Sequence, residues 1–237
     1  MIEGGLAVAM SMDLEMLRKS VVLGALPPAE LERLAPALKR RAFRRGETLY
    51  HQGDPGHVLH VVIEGRVKVV LPSETGEEAV LTVLGPGDVH GEMALLDGEP
   101  RSATVVALEQ VVSATLSRDD FMDLLKRSPG AVEGVLAGLA QMIRRLSSEV
   151  GDLMFLDLQG RLAKKLLELA DTHGKDDGSG IEIQATLTQE DLAGMIGATR
   201  PRVNQLLGSF EDRGAISRRG RRIIILRSDV LSRWAAT

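Results

Sequence analysis

The stretch Gly91-Glu92-Met93-Ala94-Leu95-Leu96 is followed, after a turn at Asp97-Gly98-Glu99-Pro100, by Arg101-Ser102-Ala103-Thr104. It brings a helix start, a carboxylate, a guanidinium and a hydroxyl into a short span. Free N–H groups at a helix start bind phosphate, and arginine pairs with phosphate bidentately. With Ser102 adding a hydroxyl and Glu92 able to accept from ribose hydroxyls, the set suits a cyclic nucleotide. The same two charges also suit a structural ion pair, Glu92 to Arg101, across the turn.

A second group lies near the C-terminal end. From Thr199 to Arg222 there are seven arginines against only Glu211 and Asp212. Thr188 precedes Gln189-Glu190-Asp191, so its hydroxyl can cap a helix with an acidic first turn, although the strict capping box would want Glu or Gln at position 191. That helix ends near Gly197. Thr199 can cap a second helix, with Arg200 and Pro201 in its first turn, where a missing N–H costs nothing. Gly214 ends that helix, and Ala215-Ile216-Ser217 and Arg222 to Leu226, joined through Arg218-Arg219-Gly220-Arg221, form a basic hairpin. Helix, tight turn, helix and hairpin make a winged helix-turn-helix, whose second helix enters the major groove. Arg200, Arg202, Asn204 and Gln205 then read bases: arginine donates two bonds to guanine, while glutamine or asparagine pairs with adenine. Thr188, Gln189, Arg218 and Arg221 bind phosphate and set the register. The alternative is a solvated basic surface.

The elements that position these groups follow from periodicity. Leu14, Leu17, Val21, Leu23 and Leu26, then Leu31, Leu34 and Leu38, suggest short helices broken at Pro27-Pro28. Leu59, Val61, Ile63, Val67 and Val69 alternate with His60, Glu64, Arg66 and Lys68, the two-residue period of half-buried strands turning at Glu64-Gly65. With further strand-like runs at Ala79 to Leu84, Ser102 to Leu108 and Val111 to Ser117, separated by glycines, they predict a β-barrel or jelly roll. From Ala131 to Leu156 the pattern is one long helix, with Val132, Val135, Leu139, Met142, Leu146, Val150 and Leu153 as an apolar seam. Such a seam suits a two-stranded coiled coil and hence a dimer, or packs the helix on its own barrel. A leucine-rich helix, a polar loop from Gly174 to Gly180 and a short strand at Ile181 and Ile183 follow. The chain therefore reads as α+β: N-terminal helices and jelly roll in residues 1–130, a long helix and hinge in 131–156, and a DNA-binding domain in 157–237.

With 237 residues, the chain has room for one large domain or two smaller ones. At 44% hydrophobic and 26% charged it is a folded protein, and with no cysteine it has no disulfide, thiolate metal site or cysteine nucleophile. The net charge of −4 hides an asymmetry: residues 1–159 carry 16 basic against 23 acidic groups, and residues 160–237 carry 13 against 10. The basic charge is thus local to the DNA-binding segment. No apolar run approaches a spanning helix, and Met1-Ile2-Glu3-Gly4-Gly5 lacks a basic leader, so a cytoplasmic protein without membrane contact is expected. His57, His60 and Glu64 raise a metal-dependent jelly-roll enzyme of the cupin type, but His60 and Glu64 fall on the strand face opposite Leu59, Val61 and Ile63, which the alternation makes the outward one.

Three stretches together resemble the CRP/FNR family of transcription regulators: Gly91 to Thr104 its phosphate-binding cassette, Phe155 to Arg161 its interdomain hinge, and Leu187 to Ser217 its DNA-binding motif. The resemblance runs from about Leu14 to Arg233. It implies a cyclic-nucleotide-binding jelly roll, a dimerisation helix and a winged helix-turn-helix, with no catalysis, no prosthetic group and no metal. It implies a homodimer on near-palindromic double-stranded DNA, RNA polymerase as a partner, and cAMP or another cyclic nucleotide as small-molecule effector. Gly91, Glu92, Met93, Arg101 and Ser102 would hold ribose and cyclic phosphate, and Ala103 would add a backbone N–H. Counting back from Phe155, the family's two adenine-contacting hydroxyl positions fall on Leu146 and Ser147, and leucine cannot bond a purine edge. His90 stands where the family often has a large apolar residue. Pro201 replaces a frequent glutamate and Gln205 a frequent arginine. Lack of cysteine excludes the family's iron–sulfur oxygen sensors, whereas His51, His57, His60 and His90 leave haem sensing open.

Overall fold

A computed structural model describes residues 17–20, 23–24, 26–74, 76–176, 178–220 and 222–236. Leu14, Val21 and Arg221, named above, lie outside the described residues. By compactness the chain forms two units, one comprising residues up to Val69 with Val83–Arg144, the other Val70–Thr82 with Arg145 onward.

In the first unit, helix α1 (Pro28–Leu34) opens with proline in its first turn, where no N–H is needed, and continues as a 3₁₀ turn at Ala35–Ala37. Leu38 is therefore not helical as its spacing suggested. The strands up to Ser117 are β1 (Lys39–Phe43), β2 (Thr48–Tyr50), β3 (Val58–Glu64), β4 (Val67–Pro72), β5 (Glu78–Leu84), β6 (Val89–His90), β7 (Thr104–Ala107) and β8 (Val111–Ser117), with helix α2 (Glu92–Asp97) between β6 and β7; β4 from Val70 and β5 as far as Thr82 fall in the second unit. Strands β1 to β8 pair into two four-stranded sheets, ordered β1-β8-β3-β6 and β2-β7-β4-β5. Helix α3 (Arg118–Arg127) and the long α4 (Pro129–Phe155) follow.

Burial on both faces of β3 is the main departure from the expected alternation, because Leu59 to Ile63 are all buried. Leu59, Val61 and Ile63 pack with Leu31, Leu34, Phe121, Ala131 and Val135 under the helices. Val62 faces the other way, into a cluster with Phe43, Val67, Val105 and Val111. A strand sandwiched between a helical layer and a second sheet has no outward face, so His60, expected outside, lies inside at 2% exposure. Gly65 makes the β3–β4 turn at φ +78°, and a Cβ there would collide with the Gln110 carbonyl oxygen.

Along α4 the burial changes. Ala131, Gly134 and Val135 are buried, while Leu136, Ile143, Leu146, Val150 and Leu153 are exposed. Val135 and Met142, which is half-buried, therefore do not belong to the exposed seam, and Leu136 and Ile143 do.

In the second unit, α5 (Leu158–His173) is capped by Asp157, whose Oδ1 accepts from the Gly160 N–H at 2.7 Å. Then come β9 (Gly174–Asp176), β10 (Ile181–Ile183), α6 (Gln189–Ile196), α7 (Arg200–Asp212), β11 (Ile216–Arg219), β12 (Arg222–Ile225) and α8 (Ser228–Trp234). The sheet order is β11-β12-β10-β9. The expected loop from Gly174 thus begins as an exposed edge strand, its residues satisfied by pairing with β10. Leu162, Leu166, Leu192, Ile196, Val203, Leu207, Phe210 and Leu231 are buried, and Trp234 stacks on Phe210 at 4.7 Å.

Candidate effector and nucleic-acid sites

The cassette converges as its spacing implies. Gly91 is left-handed (φ +83°) between β6 and α2, and a Cβ there would strike the Arg101 guanidinium. Glu92 and Met93, half-buried, open α2; Arg101 and Ala103 are buried, and Ser102 is exposed. Ser102 Oγ donates to the Met93 sulfur at 3.7 Å. Because α2 runs only from Glu92 to Asp97, the charge of the site rests on Arg101 rather than on a helix dipole.

Arg101 is 4% exposed. Its Nη1 donates to the Gly91 carbonyl at 2.7 Å and its Nη2 to the Val58 carbonyl at 2.6 Å. Its backbone is pinned as well, since its N–H donates to the Asp54 carbonyl and its own carbonyl accepts from Gly53. The buried Nε has no partner. Glu92 and Arg101 form no ion pair within 4.0 Å among the described residues. The structural pair weighed as the alternative is not formed, and the two charges act through space only. Burial raises the Glu92 carboxyl above its ordinary range, with a backbone hydrogen bond and Arg101 opposing. Burial likewise works against the charge on Arg101, offset in part by Tyr50, Glu92 and Asp54. Guanidinium stays protonated in proteins, so a buried cation sits here without a carboxylate in contact.

Beneath it lies a polar stack that sequence reading missed. The Arg101 Cζ sits 4.1 Å from the Tyr50 ring centroid. Tyr50 Oη and His90 Nδ1 are 2.9 Å apart, and His90 stacks on His60 at 4.9 Å between centroids with 10° between planes. His60 Nδ1 and Ser113 Oγ are 3.1 Å apart. Register explains the stack: His60 and His90 are cross-strand partners of β3 and β6, so their rings share the barrel face. Burial holds the Tyr50 phenol well above its usual range, lowers His60 to about 3 and leaves His90 well below its ordinary value; Arg101 adds to both histidine shifts. Both imidazoles are neutral at pH 7. His51 and His57 are exposed, and no group of three His, Asp or Glu among the described residues could hold a metal ion.

In the second unit, Thr188 and Asp191 do form a capping box. The Thr188 hydroxyl accepts from the Asp191 N–H at 3.1 Å, and Asp191 Oδ2 accepts from the Thr188 N–H at 2.8 Å. Aspartate reaches back as glutamate would, which corrects the stricter sequence rule. Thr199 occupies the N-cap of α7, but its hydroxyl makes no capping bond. Arg200, Arg202, Asn204 and Gln205 are exposed on α7, with Val203, Leu206 and Leu207 buried behind them. Arg218, half-buried on the wing, is engaged by Glu211: its Nε donates to Oε2 at 2.7 Å and its N–H to Oε1 at 2.9 Å. Its Nη1 donates to Asn204 Oδ1 at 3.0 Å, an atom that also accepts from Gln189 Nε2 at 3.0 Å. Thr188, Gln189, Arg200, Arg218 and Gly220 line one cleft of about 430 Å³ between α6, α7 and the wing. Ser147 is exposed on α4.

Tyr50 and Glu211 are residues that sequence reading did not place in a site, and His90 entered it only as a departure from the family pattern and a haem-sensing candidate. Tyr50 on β2 and His90 on β6 belong to different sheets and meet side chain to side chain across 40 positions, and nothing local signals that. Glu211 stood out only as one of two acids in a basic segment.

Comparison with known proteins gives two family matches: a cyclic nucleotide-binding domain over residues 40–128 and a Crp-like helix-turn-helix domain over residues 160–234. The chain is 34% identical over 221 residues to the CRP-like cAMP-activated global transcriptional regulator of Mycobacterium tuberculosis, spanning 93% of this chain and 99% of the other. A CRP-family transcriptional regulator from Thermus thermophilus superposes with a TM-score of 0.71 at 29% identity, over 83% of this chain and 97% of the other. The c-di-GMP responsive global regulator CLP of Xanthomonas campestris shares the fold, with a TM-score of 0.73 at 22% identity, over 84% and 99%. No helix among the described residues is long and apolar enough to cross a membrane.

Proposed function

The chain belongs to the CRP/FNR family of transcription regulators, and we propose that it works as a homodimer whose operator binding is raised by a cyclic nucleotide, cAMP first among them, held at Arg101. The observation that carries this reading is the buried Arg101 guanidinium, which has backbone carbonyls and a tyrosine face around it, a free Nε and no carboxylate in contact. A cyclic phosphate supplies the missing charge, with Ser102 and the Ala103 N–H beside it and Glu92 at the ribose. The Mycobacterium tuberculosis relative is named as cAMP-activated, whereas the Xanthomonas protein is named as responsive to c-di-GMP. Base recognition is the open element, since Leu146 offers no hydrogen bond.

The homodimer rests on the exposed seam of α4. Leu136, Ile143 and Val150 recur every seven residues, as do Leu146 and Leu153, with Val132 two sevens before Leu146 and Leu139 between them half-buried on the core, giving alternate steps of three and four from Ile143 on. β-branched Ile143 and Val150 on one register and Leu146 and Leu153 on the other suit a parallel two-stranded coil. Paired α7 helices about one helical turn apart, ~34 Å, would read a near-palindrome, and RNA polymerase is the expected further partner. The effector works by binding one state of the dimer more tightly than the other.

The test is selection of operators from random duplex DNA without effector and with cAMP, cGMP or c-di-GMP. Enrichment of a near-palindrome in a cyclic-nucleotide arm, lost in Arg101→Gln, supports the reading. The same palindrome enriched equally in every arm favours a ligand-independent regulator.

A further inference from the structure

The geometry points to a recognition helix whose Asn204 amide reads hydrogen-bond acceptors, guanine above all, and turns away the adenine that asparagine ordinarily pairs with. The inference rests on the DNA-binding reading and deepens it.

Asparagine pairs with adenine by accepting from the base amino group through Oδ1 while donating to N7 through its Nδ2. In this protein Asn204 Oδ1 already accepts two bonds, from Gln189 Nε2 and Arg218 Nη1. The orientation of the amide is chemically forced, because a guanidinium only donates, so the oxygen and not the NH₂ must face Arg218. Arg218 is itself held in place: Glu211 accepts from its backbone N–H and its Nε, and pairs with its Nη2 at 2.5 Å. Those bonds keep the Glu211 carboxyl below its ordinary range. With both lone pairs of its oxygen occupied, Asn204 has only N–H donors left to offer.

Gln205 follows the arrangement only in part. Its Oε1 accepts from Arg202 Nη1 at 2.6 Å, again a bond that fixes oxygen toward the guanidinium. Arg200 has no acceptor, and Pro201 has no polar side-chain atom. Arg200 and Asn204 therefore present donors only, while Gln205 keeps one lone pair of its oxygen. Guanine, with acceptors at both N7 and O6, matches those donors; adenine places its amino donor against them, and so does cytosine. Glu211 and Arg218 act here as positioning residues that set what Asn204 can read.

The experiment is operator selection from random duplex with the full-length protein, with and without cAMP, followed by affinity measurements on single-base variants of the selected site. The position read by Asn204 is the one whose preference collapses in Asn204→Ala. At that position the unmodified protein should select guanine over adenine by about tenfold, near the lower end of what one good base-edge pair supplies. Arg218→Met frees the Asn204 oxygen and should bring that ratio below about threefold, with adenine gaining. Glu211→Gln provides a second variant that releases Arg218 while keeping its shape. A merely structural role for the pair would weaken all sequences alike and leave the ratio untouched.

Selection of adenine at the Asn204 position, no position that responds to Asn204→Ala, or an unchanged ratio in both variants would overturn the inference while leaving sequence-specific binding in place. Failure to enrich any sequence in any arm would overturn the DNA-binding reading and this inference with it.

Discussion

Arg101 and Arg218 are both anchored by oxygen atoms, yet they have opposite electrical surroundings. Arg101 lies in the barrel interior on two backbone carbonyls, with no carboxylate within ion-pair distance among the described residues. Arg218 sits half-exposed on the wing with Glu211 wrapped around it. Exposure alone would nominate Arg218 as the anion binder. On the proposed function counter-charge reverses that: the compensated guanidinium aims its neighbours, and the uncompensated one takes the anion.

The largest expected effect follows for Arg101. Arg101→Gln should lower cyclic-nucleotide affinity by more than about 100-fold, since truncating one partner of a desolvated charge pair costs roughly 2–5 kcal/mol. Retained affinity would place the anion elsewhere.

Acid should separate the two units next. His60 and His90 are neutral when folded and take up protons near the ordinary histidine value when unfolded. Folding stability of the barrel is therefore full above about pH 6.5 and falls as the pH drops from there toward 3, the value for His60. The slope approaches about 1.4 kcal/mol per pH unit for each histidine. Urea unfolding followed by circular dichroism at several pH values should show this loss. Fluorescence of Trp234, the single tryptophan and a residue of the second unit, should show much less, and His90→Phe should flatten the dichroism slope.

Thr188→Ala removes the hydroxyl that caps α6 and should cost about 1 kcal/mol in the Trp234 transition, the usual value of a cap. The smallest effect concerns salt. Removing a side chain that neutralises one phosphate lowers the slope of log affinity against log salt by about 1. Arg218→Met, whose charge Glu211 already balances, should change that slope by much less. A full unit of change would mean that Arg218 neutralises phosphate after all.

How far the sequence carries these assignments varies with the range of the interaction. Gly91 to Thr104 is legible because its groups lie within one loop and a short helix, and α6 and α7 because capping and turn residues are local signals. β1 escapes notice, since Lys39, Arg40 and Arg41 put charge along an exposed edge strand and erase its alternation. Alternation puts His60 on the wrong side of β3 because it assumes one solvated face, and that strand has none. A period of three or four admits Val135 and Met142 to the seam of α4, and only burial separates the face on the barrel from the one left open. The Tyr50, His90 and His60 stack joins distant segments of two sheets, and the Glu211–Arg218–Asn204 network joins α7 to the wing through side-chain contacts; periodicity carries no trace of either.

Calorimetric titration of the ligand-stripped protein with cAMP, in parallel with cGMP, c-di-GMP and the Arg101→Gln variant, decides whether the uncompensated guanidinium is the effector centre. One saturable cyclic-nucleotide site per chain, abolished by Arg101→Gln, is the expected result. Absence of binding to all three nucleotides, or equal affinity in the variant, would contradict it.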